Sequence, residues 1–195
     1  GKIIEVLVPP YRTDILHPMD LVEEVAIAYG YQNFSPQIPN VATIGEETQK
    51  TIFSRKIAEI CIGLGLQECQ TLHLSNEKIL VENMLRAEKN NLVKVPNSVN
   101  ADYDIIRNSL VPNLLKVLSE NTHYEFPQNF FEIGEVYENS AGEPSEKLHL
   151  GIAFCSAGAE FNQAKSAVEA IFRLLGKTIS VEPIEHPSFI ESRVG

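Results

Sequence analysis

The sequence lacks a long apolar run, a cysteine framework and an excess of basic residues. No apolar run approaches the ~18 residues that a membrane span needs, and no basic segment followed by an apolar one opens the chain. We therefore expect a soluble, cytoplasmic protein without a membrane partner. Its three cysteines, Cys61, Cys69 and Cys155, are an odd number and include no pair at metal-ligand spacing, which favours buried free thiols over a catalytic or zinc-binding role.

Acidic residues outnumber basic ones by 26 to 16. When the net charge is counted over successive segments of fifty residues, only the segment 51–100 is not negative. Proteins that bind nucleic acids broadly need a basic face for the phosphates, so the charge argues against such binding by this chain alone. The sequence also contains no Gly-rich phosphate loop and no Gly-x-Ser-x-Gly motif, and its five histidines show no i, i+4 pair. Neither nucleotide hydrolysis nor serine chemistry is indicated.

The apolar pattern predicts helices and strands without regular βαβ alternation, which is typical of an α+β domain on an antiparallel sheet. Prolines and glycines between residues 33 and 45 mark a domain boundary. A hairpin is predicted where Asn139-Ser140-Ala141-Gly142 joins two strands. The predicted helices are 18–30, 47–64, 76–87, 110–118 and 162–175, and the predicted strands are 3–8, 67–74, 92–95, 129–137, 148–155 and 178–184.

Four acidic residues form the sharpest local pattern: Asp14, Asp20, Glu23 and Glu24. The last three lie at i, i+3 and i+4 of the first predicted helix, so they lie near one face at its start, and Asp14 lies on the incoming loop. Oxygen ligands of this kind suit Mg²⁺ or Ca²⁺. The spacing of Asp20 and Glu23 equally fits a capping box, and spacing alone favours that explanation, although it leaves Asp14 unexplained.

The four acids belong to a longer run, and further segments follow it in order. They are Pro9-Pro10-Tyr11-Arg12-Thr13-Asp14-Ile15, Asp20-Leu21-Val22-Glu23-Glu24-Val25-Ala26, Arg107-Asn108-Ser109-Leu110-Val111-Pro112-Asn113-Leu114-Leu115 and Phe131-Glu132-Ile133-Gly134-Glu135-Val136. With Gly63-Leu64-Gly65, these segments resemble the archaeal and eukaryotic form of the phenylalanyl-tRNA synthetase beta subunit. The resemblance extends over essentially the whole chain.

This resemblance implies three parts. Residues 1–34 would be the end of a small helical, winged-helix-like domain, residues 35–45 a linker, and residues 46–195 a catalytic-like module truncated before its C-terminal end. The implied fold of the module is the antiparallel sheet with flanking helices of class II aminoacyl-tRNA synthetases. The resemblance also implies that Asp14, Asp20, Glu23 and Glu24 bind Mg²⁺ near the contact with an alpha subunit, in a heterotetramer of two alpha and two beta subunits.

The module is expected to lack an active site of its own. Class II enzymes clamp the ATP phosphate with an arginine two residues before a glutamate, and here Phe130 stands in that place before Glu132. The Gly-x-Gly-x-x-x-Arg motif that carries a further arginine is absent. Activation of phenylalanine with ATP, and its attachment to tRNA(Phe), is therefore expected on the alpha subunit.

The sequence does not decide the role of one helix and two further residues. The helix at about 47–64 matches the family's interface helix, but one apolar stripe serves a core helix equally well. Arg107 matches a family position, yet a solvated or salt-bridged arginine is the plain alternative. Asn113 stands where the family usually has glycine, and we attribute this to the tolerance of asparagine for unusual backbone angles.

The sequence thus predicts a non-catalytic structural module of the phenylalanine–tRNA ligase beta subunit. The alternative is a stand-alone Mg²⁺-binding regulatory or tRNA-binding module on the same fold. A metal-dependent hydrolase that uses the carboxylates would need a nucleophile or base that the sequence does not indicate.

Overall fold

The computed structural model describes residues 3–42, 45–86, 91–98, 100–140 and 142–189. The chain divides into two compact units, Gly1–Glu46 and Glu47–Gly195, called here the N-terminal and the C-terminal unit. No helix in the described part of the chain is long and apolar enough to cross a membrane.

Within the described residues of the N-terminal unit, one α-helix forms, α1 (Pro18–Tyr29), and a 3₁₀ turn at Tyr31–Asn33 follows it. The helix begins at His17, whose ring nitrogen accepts a hydrogen bond from the Met19 N–H, while the Asp20 carboxylate accepts one from the His17 N–H. It ends at Gly30, whose φ of 92° few other residues adopt. Residues 3–8, which the sequence predicts as a strand, lie in no strand.

The C-terminal unit contains a three-stranded sheet in the order β1 (Gln67–Glu68), β5 (Gln128–Ser140) and β6 (Glu143–Cys155). Strands β5 and β6 form an antiparallel hairpin, whereas β1 runs parallel to β5. A second, smaller sheet places β4 (Ile105–Ile106) between β2 (Leu74–Ser75) and β3 (Val93–Lys94). Its apolar cluster includes Leu80 and Val81 from a π-helical turn at Lys78–Glu82.

Helices cover both faces of β5. Because successive residues of a strand point to opposite faces, Phe131 packs with residues of α2 (Gln49–Gly63) and α4 (Phe161–Leu174), while Phe130 packs with α3 (Val111–Glu120). The first of these clusters contains the buried side chains of Ile57, Cys61, Leu66, Phe131 and Ile171. The sheet is therefore a central layer between helices.

The mixed α+β class with flanking helices is confirmed, and so is the hairpin, although its strands are longer than predicted and Ala141 lies outside the described residues. The sheet is not purely antiparallel, since β1 is parallel to its neighbour. The predicted strand 67–74 is two short strands, β1 and β2. The predicted helix 76–87 is the short π-helical turn, with residue 87 outside the described ranges, and no strand forms over 178–184.

Candidate functional site

A buried ion network crosses the centre of β5. Glu132 lies in the middle of the strand, and its Oε1 accepts a hydrogen bond from Arg107 Nη1 at 2.5 Å. Thr71 donates to the same carboxylate twice, from its backbone N–H to Oε1 at 3.1 Å and from its hydroxyl to Oε2 at 2.8 Å. Since the Arg107 and Glu132 side chains are each 1% exposed, the network lies inside the fold.

The Arg107 guanidinium also binds backbone groups. Its Nε donates to the Glu135 carbonyl at 2.9 Å, and its Nη1 donates to the Thr71 carbonyl at 3.2 Å and to the Thr71 hydroxyl at 2.9 Å. Through its own backbone, Arg107 donates to the His73 carbonyl and accepts from the Tyr137 N–H. Arg107 therefore connects the segment after β4 to β5 and to the segment between β1 and β2. Its side chain is salt-bridged and not solvated.

Three residues of this network were not predicted as part of it: Thr71, Asn113 and Gly134. Asn113 lies in the first turn of α3, and its side chain donates to the Thr71 hydroxyl and to the Leu72 carbonyl. It has no positive φ, so our explanation by backbone tolerance is wrong, and the side-chain bonds are its role. A Cβ at Gly134 would overlap the Arg107 guanidinium. Glycine within a strand signals such a close approach.

Phe130 occupies the position where the sequence comparison expects the ATP-clamping arginine. Its side chain is buried against Leu114 and Leu118 of α3. Two residues later, both carboxylate oxygens of Glu132 are already hydrogen-bonded within the protein. This part of β5 therefore presents neither a free cation nor a free carboxylate to a ligand.

The four predicted metal ligands in the N-terminal unit do not gather around one point. Arg12 Nε donates to Asp14 Oδ1 at 2.9 Å and its Nη2 to Asp14 Oδ2 at 2.7 Å, while the same Nη2 donates to Glu24 Oε1 at 2.5 Å. These hydrogen bonds lower the pKa of Asp14 to about 2 and raise the pKa of Arg12. Arg12 is therefore the cation that Asp14 and Glu24 share.

Asp20 belongs to the helix start. Its Oδ2 accepts hydrogen bonds from the N–H groups of His17 at 2.7 Å and Leu16 at 2.8 Å, which lower the pKa of this carboxyl. The sequence placed Asp20 at the cap position with Glu23 as its partner. In the structure the box is shifted by one turn, so that His17 is the cap residue and Asp20 the partner. Glu23 is exposed.

The chemistry of these four side chains suits Mg²⁺, because carboxylate oxygens are its preferred protein ligands. Their arrangement does not fit it. Two of the carboxylates bind Arg12 and a third caps α1. Within the described ranges, no three or more His, Cys, Asp or Glu side chains form a group that could hold a metal ion.

Helix α2 divides its apolar residues between the core and the surface. Ile57 and Cys61 are buried in the cluster behind β5, and burial raises the pKa of the Cys61 thiol to about 11. Phe53 and Ile62 are more than half exposed. At the start of the helix, Lys50 binds Glu135 at 2.8 Å and Glu146 at 2.9 Å, which fixes α2 to the hairpin. One side of α2 therefore packs in the core, and apolar side chains elsewhere on the helix are exposed to solvent.

The chain matches two protein families in succession. Residues 35–195 match the family described as the phenylalanyl tRNA synthetase beta chain CLM domain, and residues 1–31 match the tRNA synthetase B5 domain. The chain belongs to the phenylalanyl-tRNA synthetase beta chain family. The Arg107–Glu132 network lies in the CLM match, and the four acids lie in the B5 match.

Curated relatives from archaea carry the same family name. The phenylalanine–tRNA ligase beta subunit of Archaeoglobus fulgidus is 38% identical over 195 residues, which cover 99% of this chain and 35% of the relative. That of Methanocaldococcus jannaschii is 38% identical over 193 residues, covering 97% of this chain and 35% of the relative. The chain thus spans about a third of the length of the relatives that it matches.

Among solved structures, a pyrrolysyl tRNA synthetase from Desulfitobacterium hafniense superposes with a TM-score of 0.56. The match covers 66% of this chain and 47% of that chain, at 15% sequence identity. At this identity the likeness concerns the fold alone. A synthetase-type fold is therefore present in this member of the beta chain family.

Proposed function

We propose that this chain is a non-catalytic structural module of a phenylalanine–tRNA ligase beta subunit. In this proposal it supports an alpha subunit that attaches phenylalanine to tRNA(Phe) with ATP, in a heterotetramer of two alpha and two beta subunits. The proposal of a non-catalytic role rests on two side chains of β5: Phe130 is buried, and Glu132 is hydrogen-bonded within the protein.

Transfer of the adenylyl group of ATP to an amino acid carboxylate, with pyrophosphate as the leaving group, needs donors placed where negative charge develops. Phe130 offers an apolar ring instead of a guanidinium, and the ring is held by α3. The buried guanidinium of Arg107 donates to Glu132, Thr71 and the Glu135 carbonyl. Reaction with ATP on this strand would require both the ion pair and the apolar contact to break.

For the architecture, we propose that residues 46–195 form a class II synthetase-like module and that residues 1–34 end a winged-helix-like domain, with residues 35–45 between them. The β5–β6 hairpin and its helices on both faces support the first part. The superposition on the pyrrolysyl tRNA synthetase supports it as well.

For the partner, we propose that α2 supplies part of the surface that meets the alpha subunit. The exposed apolar residues on this helix include Phe53 and Ile62, while its buried residues fix it to the sheet. A helix anchored on one side and apolar on the other is suited to packing against a second helix.

The assignment of Mg²⁺ to Asp14, Asp20, Glu23 and Glu24 stays a proposal. The oxygen ligands support it, and the ion pairs to Arg12 oppose it in the observed arrangement. No step of the proposed function passes through the metal.

Two measurements test this function. Phenylalanine-dependent exchange between ATP and pyrophosphate is expected to be absent with the chain alone, and robust exchange would contradict a non-catalytic role. The chain is also expected to co-purify with a phenylalanyl-tRNA synthetase alpha subunit. Salt-dependent binding of tRNA by the chain alone, without retention of the alpha subunit, would favour the tRNA-binding alternative.

A matched pair of variants locates the partner surface. Ile62→Asp on α2 is expected to reduce retention of the alpha subunit, because it places a charge in the proposed contact. Leu174→Asp on α4 makes the same change at nearly the same exposure, 59% against 58%, and should leave retention unchanged. Equal losses in both variants would contradict the assignment to α2.

A further inference from the structure

We propose that a cavity at the start of β5 binds a guanidinium group through oxygen acceptors that the protein leaves unpaired. The cavity has a volume of about 700 Å³ and is lined by the segment that follows α3, by the first residues of β5 and by residues at the entry to β1. Binding to it is measured on the chain alone. The inference therefore does not depend on the proposed function.

Gln128 supplies an acceptor whose identity is fixed by the other contacts of its side chain. The residue is 6% exposed, and its Nε2 donates to the Asn121 carbonyl at 2.9 Å and to the Tyr124 carbonyl at 3.3 Å. Because only the nitrogen of a side-chain amide can donate to carbonyls, the remaining atom is the oxygen, Oε1. This buried oxygen accepts no hydrogen bond from the described residues. A buried acceptor without a partner is unfavourable, so a donor that reaches it is held firmly.

The groups around Gln128 favour a donor that carries positive charge. Asn129 Oδ1 is a second buried oxygen without a partner among the described residues, and Asn129 also lines the cavity. Glu125 is exposed and is the one charged side chain among the lining residues that the structure describes. Helix α3 ends just before Asn121, a further lining residue, and has no basic residue in its last turn. The partial negative charge of the helix end therefore adds to that of Glu125.

A guanidinium group matches these acceptors better than an ammonium group does. It carries five N–H donors and no acceptor, so it can serve several oxygens at once. Its plane also stacks on aromatic rings, and Tyr124, which lines the cavity, is 63% exposed. An ammonium group is a compact, strongly hydrated charge without such a plane. The ligand is therefore either an arginine side chain of a partner chain or a free guanidinium compound.

Binding of N-acetyl-arginine amide to the ¹⁵N-labelled chain, followed by NMR, tests the inference. Saturable shifts are expected for the side-chain amide of Gln128 and for the backbone N–H groups around it, and N-acetyl-lysine amide should bind about fivefold more weakly. Gln128→Met keeps a side chain of similar length and removes its amide, so it should weaken binding of the arginine probe about tenfold. The dispersion of the spectrum reports whether this variant is folded.

Two surface variants test the site without a change in the buried amide. Glu125→Gln removes the charge and should weaken binding about threefold, and Tyr124→Leu should remove the preference for arginine over lysine. The matched control is Glu169→Gln on α4, which neutralises an exposed carboxylate that does not line the cavity and should leave binding unchanged. Absence of saturable shifts in the unchanged chain would overturn the site, and so would equal losses in Glu125→Gln and Glu169→Gln.

Retention of the alpha subunit by the same variants distinguishes the two sources of the guanidinium. Weaker retention by Glu125→Gln and Tyr124→Leu than by Glu169→Gln would assign the group to an arginine of the alpha subunit. Equal retention by all three, with binding of the arginine probe reduced as expected, would assign it to a free guanidinium compound. If the unchanged chain fails to retain an alpha subunit, the proposed function is contradicted, while the NMR titration still decides the binding site.

Discussion

In the described part of the chain, two arginine–carboxylate networks of similar chemistry lie in opposite surroundings. In the C-terminal unit, Arg107 and Glu132 are each 1% exposed and are bound further by Thr71 and backbone carbonyls. In the N-terminal unit, Arg12 holds Asp14 and Glu24 at the surface. The hydrogen bonds have comparable lengths, so geometry alone does not distinguish the two.

Burial distinguishes them. A buried charge that loses its partner stays in a medium of low polarity, so breaking the Arg107–Glu132 pair leaves an uncompensated charge inside the fold. An exposed charge that loses its partner is solvated again at little cost. The same side chains therefore form a permanent structural element in one unit and an exchangeable contact in the other.

The largest effect is expected for Arg107→Met. This change leaves the Glu132 carboxylate buried without its cation, and the free energy of unfolding should fall by about 3–5 kcal/mol. Urea unfolding followed by circular dichroism measures it. The double variant with Glu132→Leu removes both charges and should recover most of the loss. If the double variant is as unstable as the single one, the cause is lost packing and not the stranded charge.

The next effect is expected for Gly134→Ala, because the added methyl group overlaps the Arg107 guanidinium. Overpacking of this kind costs about 1–3 kcal/mol of unfolding free energy. Gly158→Ala is the matched control, since a Cβ there meets nothing within 4 Å. In the Arg107→Met background the cost at Gly134 should shrink, and an unchanged cost would contradict the overlap as its cause.

The elements that the sequence predicted well are those whose signal is local. The hairpin and helices α3 and α4 follow from turn residues and from apolar spacing within a few turns. Residues 3–8 have the composition of a strand and still form none, because a strand also requires a partner that no local pattern encodes. The division of 67–74 into β1 and β2 has the same origin, since each half pairs with a different strand.

Prediction of the candidate site from the sequence was limited in a similar way. The sequence drew attention to Arg107 and to the acids near α1, but not to their partners. Thr71 and Glu132 are 61 residues apart in the chain, a distance over which spacing arguments carry no information. Arg12 stood two residues from Asp14 and could have been recognised, because it lies alone among acids in that region.

The ion pair between Lys50 at the start of α2 and Glu135 of β5 is intermediate in exposure between the two arginine networks. The Glu135 side chain is 30% exposed. The hydrogen bond from Lys50 lowers the pKa of Glu135 from 4.5 to about 2. A lowered pKa in the folded state stabilises the fold above pH 4.5, and this contribution is lost as the pH falls toward 2. In Glu135→Gln the urea midpoint should therefore decline less between these pH values. An equal decline would assign the acid sensitivity to other carboxylates.

The smallest effect is expected for Arg12→Gln on stability. Because its contacts are exposed, the urea midpoint should stay unchanged. A clear loss of stability would remove the contrast between the two networks, since it would make the surface network structural as well.

The close approach of Gly134 to Arg107 restricts the order in which this part of the protein can change during evolution. A substitution of Arg107 or of Glu132 by itself leaves the other charge stranded inside the fold. A side chain at position 134 requires the Arg107 guanidinium to shift from its present contacts. Joint loss of the ion pair removes both constraints, so position 134 can vary at lower cost afterwards.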